Sequence, residues 1–154
     1  MKFLAQLVSA IFHPLFLPIL AALIIMNARP NVFQYFTEPP AKILLILFFN
    51  TVLLPLIIIL MMRPLGFIKN LQMQDRQERI LPFLVGMFFY IWTFILLFRE
   101  NLAPKEIDVI VLGLLIALVL TFMGTVLFFK ISIHTVGMGW LVGYVLSMAR
   151  DSEK

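Results

Sequence analysis

Long apolar runs separated by short polar stretches are the main pattern along this chain. Each run can cross the hydrocarbon core of a bilayer, which takes about 20 apolar residues at 1.5 Å of rise per residue. Backbone in contact with lipid must satisfy its own hydrogen bonds, so the runs predict helices, whereas the strands of a barrel would alternate polar and apolar residues. We therefore predict an all-α polytopic membrane protein, a bundle of five transmembrane helices in a single domain, 1–154. The predicted spans are 3–26, 42–62, 80–98, 106–129 and 131–149.

The composition agrees with this pattern and excludes several other classes of protein. Of the 154 residues, 62% are hydrophobic and 13% are charged, and a soluble domain of this size has too little interior to bury so much apolar surface. Cysteine is absent, which excludes disulfides and thiolate chemistry. The net charge of +4 comes from the loops and forms no basic face for nucleic acid, so membrane lipids are the expected partners. The first run is too long for the apolar part of a signal peptide, and we predict an uncleaved span.

Two polar segments are expected at the same face of the bundle. With five spans, the long connection 63–79 and the junction at Lys130 fall on one side of the membrane. The twelve Lys and Arg residues divide equally between the two sides, so the excess of positive charge that marks cytoplasmic loops does not orient the protein.

The connection 63–79 contains the basic candidates Lys69, Arg76 and Arg79. Arg76 and Arg79 are three residues apart and share a face in a helical turn. Guanidinium groups at the end of a helix bundle suit a phosphate, because they bind its oxygens in pairs. The alternative is a solvated basic loop in contact with lipid headgroups, which composition alone favours.

A second candidate cluster opens the fifth span and comprises Lys130, Ser132 and His134. Lys130 and His134 are four residues apart on a helix and therefore neighbours. A histidine one turn below the surface can donate a proton to a leaving oxygen near neutral pH. The alternative is a histidine that only packs and makes a hydrogen bond. The two histidines lie on separate spans and no Cys is present, so neither a metal nor another cofactor is expected.

The other histidine, His13, is predicted to have a structural role. In a continuous first span it lies about 16 Å from Lys2, near the midplane and deeper than His134. A kink or a re-entrant start would be needed to bring the two rings together, and Pro14 and Pro18 are expected to kink this span. Other polar residues inside the spans are predicted to make ordinary contacts between helices: Asn50, Thr51, Thr121 and Thr125.

Gly139, Gly143 and Ser147 recur every four residues along the fifth span. Small residues at this spacing let a neighbouring helix approach closely. We predict a packing face there, filled by another helix or by a second copy of the chain in a homo-oligomer. Trp140 and Tyr144 are predicted to be packing residues.

The motifs resemble a known family over most of the chain. They are Phe12-His13-Pro14, the segment 74–82 (Gln-Asp-Arg-Gln-Glu-Arg-Ile-Leu-Pro), and the segment 130–137 (Lys-Ile-Ser-Ile-His-Thr-Val-Gly). The chain resembles small bacterial integral membrane proteins of the type 2 phosphatidic acid phosphatase superfamily, which dephosphorylate lipid phosphates or isoprenyl diphosphates. The resemblance implies an inner (cytoplasmic) membrane location in bacteria.

The resemblance also assigns roles to the candidate residues. Lys69 and Arg76 have the spacing of the superfamily motif Lys-x6-Arg-Pro, with Gln77 in place of the proline. Ser132 and His134 match the motif Ser-Gly-His with isoleucine at the glycine. By resemblance, Lys69, Arg76 and Arg79 bind the phosphate, Ser132 adds a hydrogen bond, and His134 protonates the leaving alcohol. We add Lys130 to the binding residues because it neighbours His134.

The third motif of the superfamily, which carries the nucleophilic histidine, is missing, since no histidine follows His134. Three explanations remain, in decreasing order of preference: a truncated reading frame, a degenerate member that only binds, and a different nucleophile such as His13. The expected function is a phosphatase-like membrane protein with a lipid-phosphate or isoprenyl-diphosphate site, truncated or catalytically degenerate, and a hydrolase if active. The alternative is a non-catalytic assembly subunit or a small transporter.

Overall fold

The computed structural model describes residues 13–36, 38–69, 77–127 and 131–152, and these ranges form helices and turns without a strand. The prediction of an all-α fold is confirmed. From the second helix onward, the helices begin and end within a few residues of the predicted positions. Five helices follow one another in the described ranges: α1 (Leu17–Ala28), α2 (Pro40–Met62), α3 (Ile80–Glu100), α4 (Lys105–Leu127) and α5 (Ile133–Ser152).

The helices have the surface that lipid requires. Within the described ranges, three are long and apolar enough to cross a membrane, namely α2, α4 and the helix that α3 forms with the turn before it, Gln77–Glu100. Large apolar side chains such as Phe98 and Leu146 point away from the bundle and are about two-thirds exposed. An apolar exterior of this extent is unfavourable in water and favourable in a bilayer. The structure is therefore compatible with a multi-pass membrane protein.

The first helix begins later than the sequence predicts. A 3₁₀ turn, Pro14–Phe16, precedes α1, and the amide of Phe16 donates to the carbonyl of His13 at 2.8 Å. Pro18 lies in the first turn of α1, where a missing N–H breaks no helical hydrogen bond. Residues 3–12 of the predicted first span lie outside the described residues. The expected disturbance at Pro14 and Pro18 is confirmed as a turn that separates His13 from the helix.

The second helix widens in its middle. Residues Phe48–Leu53 form a π-helical segment, and Pro55 follows it. Because the ring of a proline clashes with the carbonyl four residues earlier, here that of Thr51, the preceding turn must open. The fully buried Thr51 hydroxyl has a single proton, which two carbonyls share: that of Leu47 at 2.8 Å and that of Leu15 at 3.2 Å. The wide turn therefore connects α2 to the turn that follows His13.

Thr51 thus makes a contact between helices, as predicted for the polar residues inside the spans. Asn50 donates instead to the carbonyl of Ile46 at 2.9 Å, and Thr121 to that of Ala117 at 2.7 Å. Both bonds stay within one helix, so for these two residues the prediction of an interhelical contact is wrong. A carbonyl four residues back lies within reach of a short polar side chain and satisfies it locally.

The third and fourth helices form an antiparallel hairpin. Asn101 ends α3 in the left-handed conformation, with φ of 49°, and its amide donates to the carbonyl of Leu97. Asparagine is one of the few residues that adopts this conformation readily. Pro104 then precedes α4, and its carbonyl accepts from the amide of Ile107 at 2.8 Å. The predicted short polar turn with Pro104 is confirmed.

The first helix lies among the others, in contact with α2, α4 and α5. Its side chains Leu17, Ala21, Ala22 and Ile25 are at most 1% exposed. Small alanines on this face let neighbouring backbones come close, which favours association where lipid gives no hydrophobic driving force. At the far end of the bundle, the guanidinium of Arg29 donates to the carbonyl of Met148 at 3.3 Å and ties the ends of α1 and α5 together.

The glycines that pack are not those of the predicted stripe. Apart from the chain neighbours and the backbone of the same helix, no described atom lies within 4 Å of a Cβ placed on Gly139 or Gly143, so this face of α5 is open within the described part of the chain. A Cβ on Gly113 of α4 would instead lie 2.5 Å from ring atoms of Trp140, and one on Gly137 would overlap Leu17. Self-association through the stripe stays a prediction, and helix packing within the chain uses Gly113 and Gly137.

We expect Gly113→Ala to destabilise the protein by about 1–3 kcal/mol, as overpacking of a filled interior does. The added methyl group must displace the ring of Trp140, which is itself stacked on Tyr144 with centroids 5.4 Å apart. Gly139→Ala is the control, because the space above Gly139 is open and alanine favours a helix. Thermal unfolding of both variants in one detergent measures the difference. Equal stability of the two would show that Trp140 does not lie over Gly113.

Candidate functional site

A cavity of about 700 Å³ lies between the helices at the end where α1, α3 and α5 begin. All five helices contribute to its wall, and most of the lining side chains are apolar. This volume is in the range of cavities that hold small molecules. The apolar wall includes Leu15, Leu17, Leu56, Ile59, Leu60, Pro82, Phe83, Leu114, Ala117, Leu118, Ile133 and Val136.

Four polar residues at the same end of the cavity form what we call the polar cluster: His13, Arg79, Ser132 and His134. Arg79 ends the 3₁₀ turn before α3, and Ser132 directly precedes α5. Helix N-termini carry unpaired amides and a partial positive charge. Because α1, α3 and α5 all begin here, the backbone adds to the positive potential of the Arg79 side chain.

The two histidines are in contact. The ring centroids of His13 and His134 are 5.0 Å apart and the ring planes are nearly perpendicular, at 89°. The sequence estimate that placed His13 deeper than His134 is therefore wrong. It assumed a continuous helix through residue 13, whereas α1 begins only at Leu17. The 3₁₀ turn between His13 and α1 is the interruption that brings the two imidazole rings together.

Each histidine has one ring nitrogen with a defined environment. The amide of Leu15 donates to Nδ1 of His13 at 3.4 Å. Nε2 of His134 is buried and has no hydrogen-bond partner among the described residues. A buried polar atom without a partner is unfavourable, so a ligand that bonds to this nitrogen would remove the deficit.

Ser132 has a structural role that the sequence did not assign. Its Oγ accepts from the amide of Thr135 at 3.5 Å, and its carbonyl accepts from the amide of Val136 at 3.2 Å. These are the bonds of a helix N-cap, in which serine is among the preferred residues. The hydroxyl proton stays available for another acceptor, so capping is compatible with a contact to a ligand.

Three of the six predicted site residues, Arg79, Ser132 and His134, line the cavity. Lys69 does not line the cavity, and its exposed backbone amide donates to the carboxylate of Glu78 at 3.2 Å. Arg76 and Lys130 lie outside the described residues. Arg79 of the connection 63–79 lines the same cavity as the start of the fifth span, and a direct contact between Arg79 and His134 stays a prediction.

Three polar residues that line the cavity are not among the six predicted site residues: Tyr90, Thr121 and His13, which the sequence suggested only as an alternative nucleophile. The signal for His13 was present in Pro14 and Pro18, which predict an interrupted helix. Tyr90 lies eleven residues beyond Arg79, or about 16 Å along α3 by helical rise, so the cavity reaches well into the bundle. Nothing in the local sequence distinguishes Tyr90 from the other aromatic residues of α3.

The chemistry of the polar cluster suits an anion. No carboxylate of the described residues lines the cavity, and no three metal-ligating side chains come together in the described ranges. A guanidinium, imidazole and hydroxyl groups and helix N-termini all offer donors, and converging donors of this kind stabilise an oxyanion. The apolar wall beyond them can accommodate hydrocarbon.

We expect cysteines at positions 13 and 134 to cross-link with a short bifunctional thiol reagent. The natural chain has no cysteine, so the double variant His13→Cys with His134→Cys contains one thiol pair, and the two rings it replaces are in contact. The control pairs His13→Cys with Gly143→Cys, about 14 Å further along α5. Mass spectrometry after proteolysis detects the link. Equal yields from both pairs, or none from the first, would contradict the contact.

The comparisons with known proteins add no family assignment to this geometry. No family model, no curated protein and no solved structure matches the chain. The likeness to the phosphatase superfamily rests on the motifs quoted above.

Proposed function

We propose that this chain binds a lipid phosphate or an isoprenyl diphosphate in the cavity. The observation that carries the proposal is the division of the cavity into a polar cluster at one end and, apart from Tyr90 and Thr121, an apolar wall elsewhere. A phosphate head with a hydrocarbon chain has the same division. The motifs that resemble the type 2 phosphatidic acid phosphatase superfamily support the same class of ligand.

We further propose five transmembrane helices, with α1 and α5 added to the three whose length and composition are sufficient. Helix α5 has 20 residues, about 30 Å by helical rise, which matches the hydrocarbon thickness. Helix α1 is apolar but has 12 residues, so its span requires residues ahead of His13. The resemblance supports the inner membrane of a bacterium as the location.

In this proposal Arg79 binds the phosphate group through two parallel N–H bonds, the geometry that suits a guanidinium and an oxyanion. His134 presents the buried Nε2 to the same group, and Ser132 donates its hydroxyl proton. Lys69, Arg76 and Lys130 are proposed to add positive charge around the entrance. The apolar residues between Arg79 and Tyr90 contact the hydrocarbon.

Turnover would require a nucleophile in addition to the binding groups. The third superfamily motif is missing, and His13 is the alternative nucleophile. Its contact with His134 removes the objection that it lies too deep. We propose a site that binds with little or no turnover. If the chain is active, it acts as a lipid phosphate or isoprenyl diphosphate phosphatase, and His13 attacks only in the neutral form whose Nε2 carries no proton.

One observation favours an assembly subunit as the second candidate. The face of α5 with Gly139 and Gly143 is open within the described part of the chain, and a helix of another protein would fit there. Such a subunit needs no ligand in the cavity. Selective binding of a phosphate amphiphile therefore separates the two candidates.

We expect purified protein in a neutral detergent to bind phosphatidic acid more tightly than diacylglycerol, and Arg79→Gln to weaken that binding about tenfold or more. The estimate is the value of a hydrogen bond to a charged group, about 1.5–3 kcal/mol, converted to affinity. Arg99→Gln is the control, because Arg99 is exposed at the other end of α3. Isothermal calorimetry gives the affinities. Equal affinity for both lipids, or equal losses in both variants, would contradict the proposal.

We expect the wild-type chain to release little or no phosphate from lipid phosphates or isoprenyl diphosphates. Binding groups position a phosphate but do not attack it. A colorimetric assay of inorganic phosphate measures the release, with the His13→Ala and His134→Ala variants as controls. Turnover by the wild-type chain that either substitution abolishes would show this expectation wrong.

A further inference from the structure

We propose that His13 is a binding residue of the site, held by a turn that Thr51 anchors so that its Nε2–H donates to the phosphate. The resemblance assigns no role of this kind to His13 or Thr51. The proposal rests on the proposed function for the identity of the ligand. The arrangement of the turn is independent of any ligand.

A hydrogen bond determines which nitrogen of the His13 ring carries the proton. The amide of Leu15 donates to Nδ1 of His13 at 3.4 Å. A neutral imidazole accepts only at its unprotonated nitrogen, so this bond selects the form with hydrogen on Nε2. The ring lines the cavity, and in this form it is a donor. An anion in the polar cluster is a suitable acceptor for this donor.

The carbonyl of Leu15 has no amide partner within the turn. In a 3₁₀ turn a carbonyl accepts from the amide three residues later, which here is Pro18 and has no N–H. The Thr51 hydroxyl reaches the Leu15 carbonyl instead, at 3.2 Å. Thr51 therefore fixes the residue whose amide holds the His13 ring, and we class Thr51 as a positioning residue.

The widened part of α2 lets Thr51 reach this turn. Its hydroxyl lies in the widened segment Phe48–Leu53 of α2 and also bonds to the carbonyl of Leu47. A π-helical turn carries an extra residue and shifts side chains from their ordinary α-helical positions, and such turns are frequent at functional sites. Pro55 enforces the widening. One distortion of α2 thus sets the position of an imidazole that precedes another helix.

Thr93 offers a matched control on α3. Like Thr51 it is fully buried, and its hydroxyl donates to the carbonyl four residues earlier, that of Phe89, at 2.6 Å. It does not line the cavity. Replacement of either threonine by valine removes one buried hydroxyl and keeps the shape of the side chain. Only the Thr51 change removes a bond to the turn beside His13.

The test uses nuclear magnetic resonance of protein labelled with ¹⁵N-histidine, in a neutral detergent and without lipid. The chain has two histidines, so His13→Phe assigns both sets of ring signals. We expect His13 to carry its proton on Nε2. Thr51→Val should shift the His13 signals toward a mixture of the two neutral forms, Thr51→Ser should restore them, and Thr93→Val should leave them unchanged.

A titration with short-chain phosphatidic acid then tests the contact with the ligand. The His13 and His134 signals should shift over the same range of concentration, and His13→Phe should weaken binding about tenfold or more, as loss of a donor to a charged group does. A proton on Nδ1 of His13, or equal effects of Thr51→Val and Thr93→Val, would overturn the proposal.

The remaining outcomes separate this proposal from the proposed function. Binding by the wild-type chain with unchanged affinity in His13→Phe overturns the role of His13 and leaves the proposed function standing. Absence of binding by the wild-type chain overturns both, and the signals of the lipid-free protein still report whether Thr51 holds the ring.

Discussion

Leu17 lies against Gly137 where α1 meets α5, and the polar cluster depends on this contact. A Cβ on residue 137 would overlap the end of the Leu17 side chain, so glycine there permits this approach without displacement of that side chain. His13 precedes Leu17 by four residues, and His134 precedes Gly137 by three. Each histidine is therefore about one helical turn from the closest approach of the two segments, and their rings meet because the segments meet.

Prolines provide the second constraint, because they create backbone groups that the bilayer cannot satisfy. In water a carbonyl freed by a proline can bond to solvent, whereas in lipid it needs a partner within the protein. Pro18 leaves the Leu15 carbonyl without its partner in the turn, and Thr51 of α2 supplies one. The irregular segments of α1 and α2 therefore satisfy each other, and they do so beside the cavity.

The sequence predicts regular features of this molecule well and irregular ones poorly. The ends of α2, α3 and α4 follow from apolar length and from turn residues such as Pro104, and the location of Arg79 and His134 at the same end of the bundle follows from counting spans. The position of His13 does not follow, because a depth estimated from helical rise holds only for an unbroken helix. The π-helical turn before Pro55 has no distinct sequence signal beyond the proline.

The packing of α5 shows a different limit of sequence reasoning. In a bilayer every face of a helix can be apolar, so hydrophobicity does not reveal which face meets a neighbour. The regular spacing of Gly139 and Gly143 suggested one face, whereas Gly137 is the glycine of α5 that meets another helix in the described structure. Its partner is the start of α1, which is remote in sequence and carries no motif that matches it.

Helices from opposite ends of the sequence share the site, and this determines when the site forms during synthesis. Chains fold from the N-terminus as they are made, so α1 to α4 are in place before α5 is complete. Until α5 arrives, the cavity lacks the wall formed by Ile133, Val136 and Gly137, and His13 has no contact with His134. The polar cluster is therefore assembled last, and a chain that ends before α5 lacks the site.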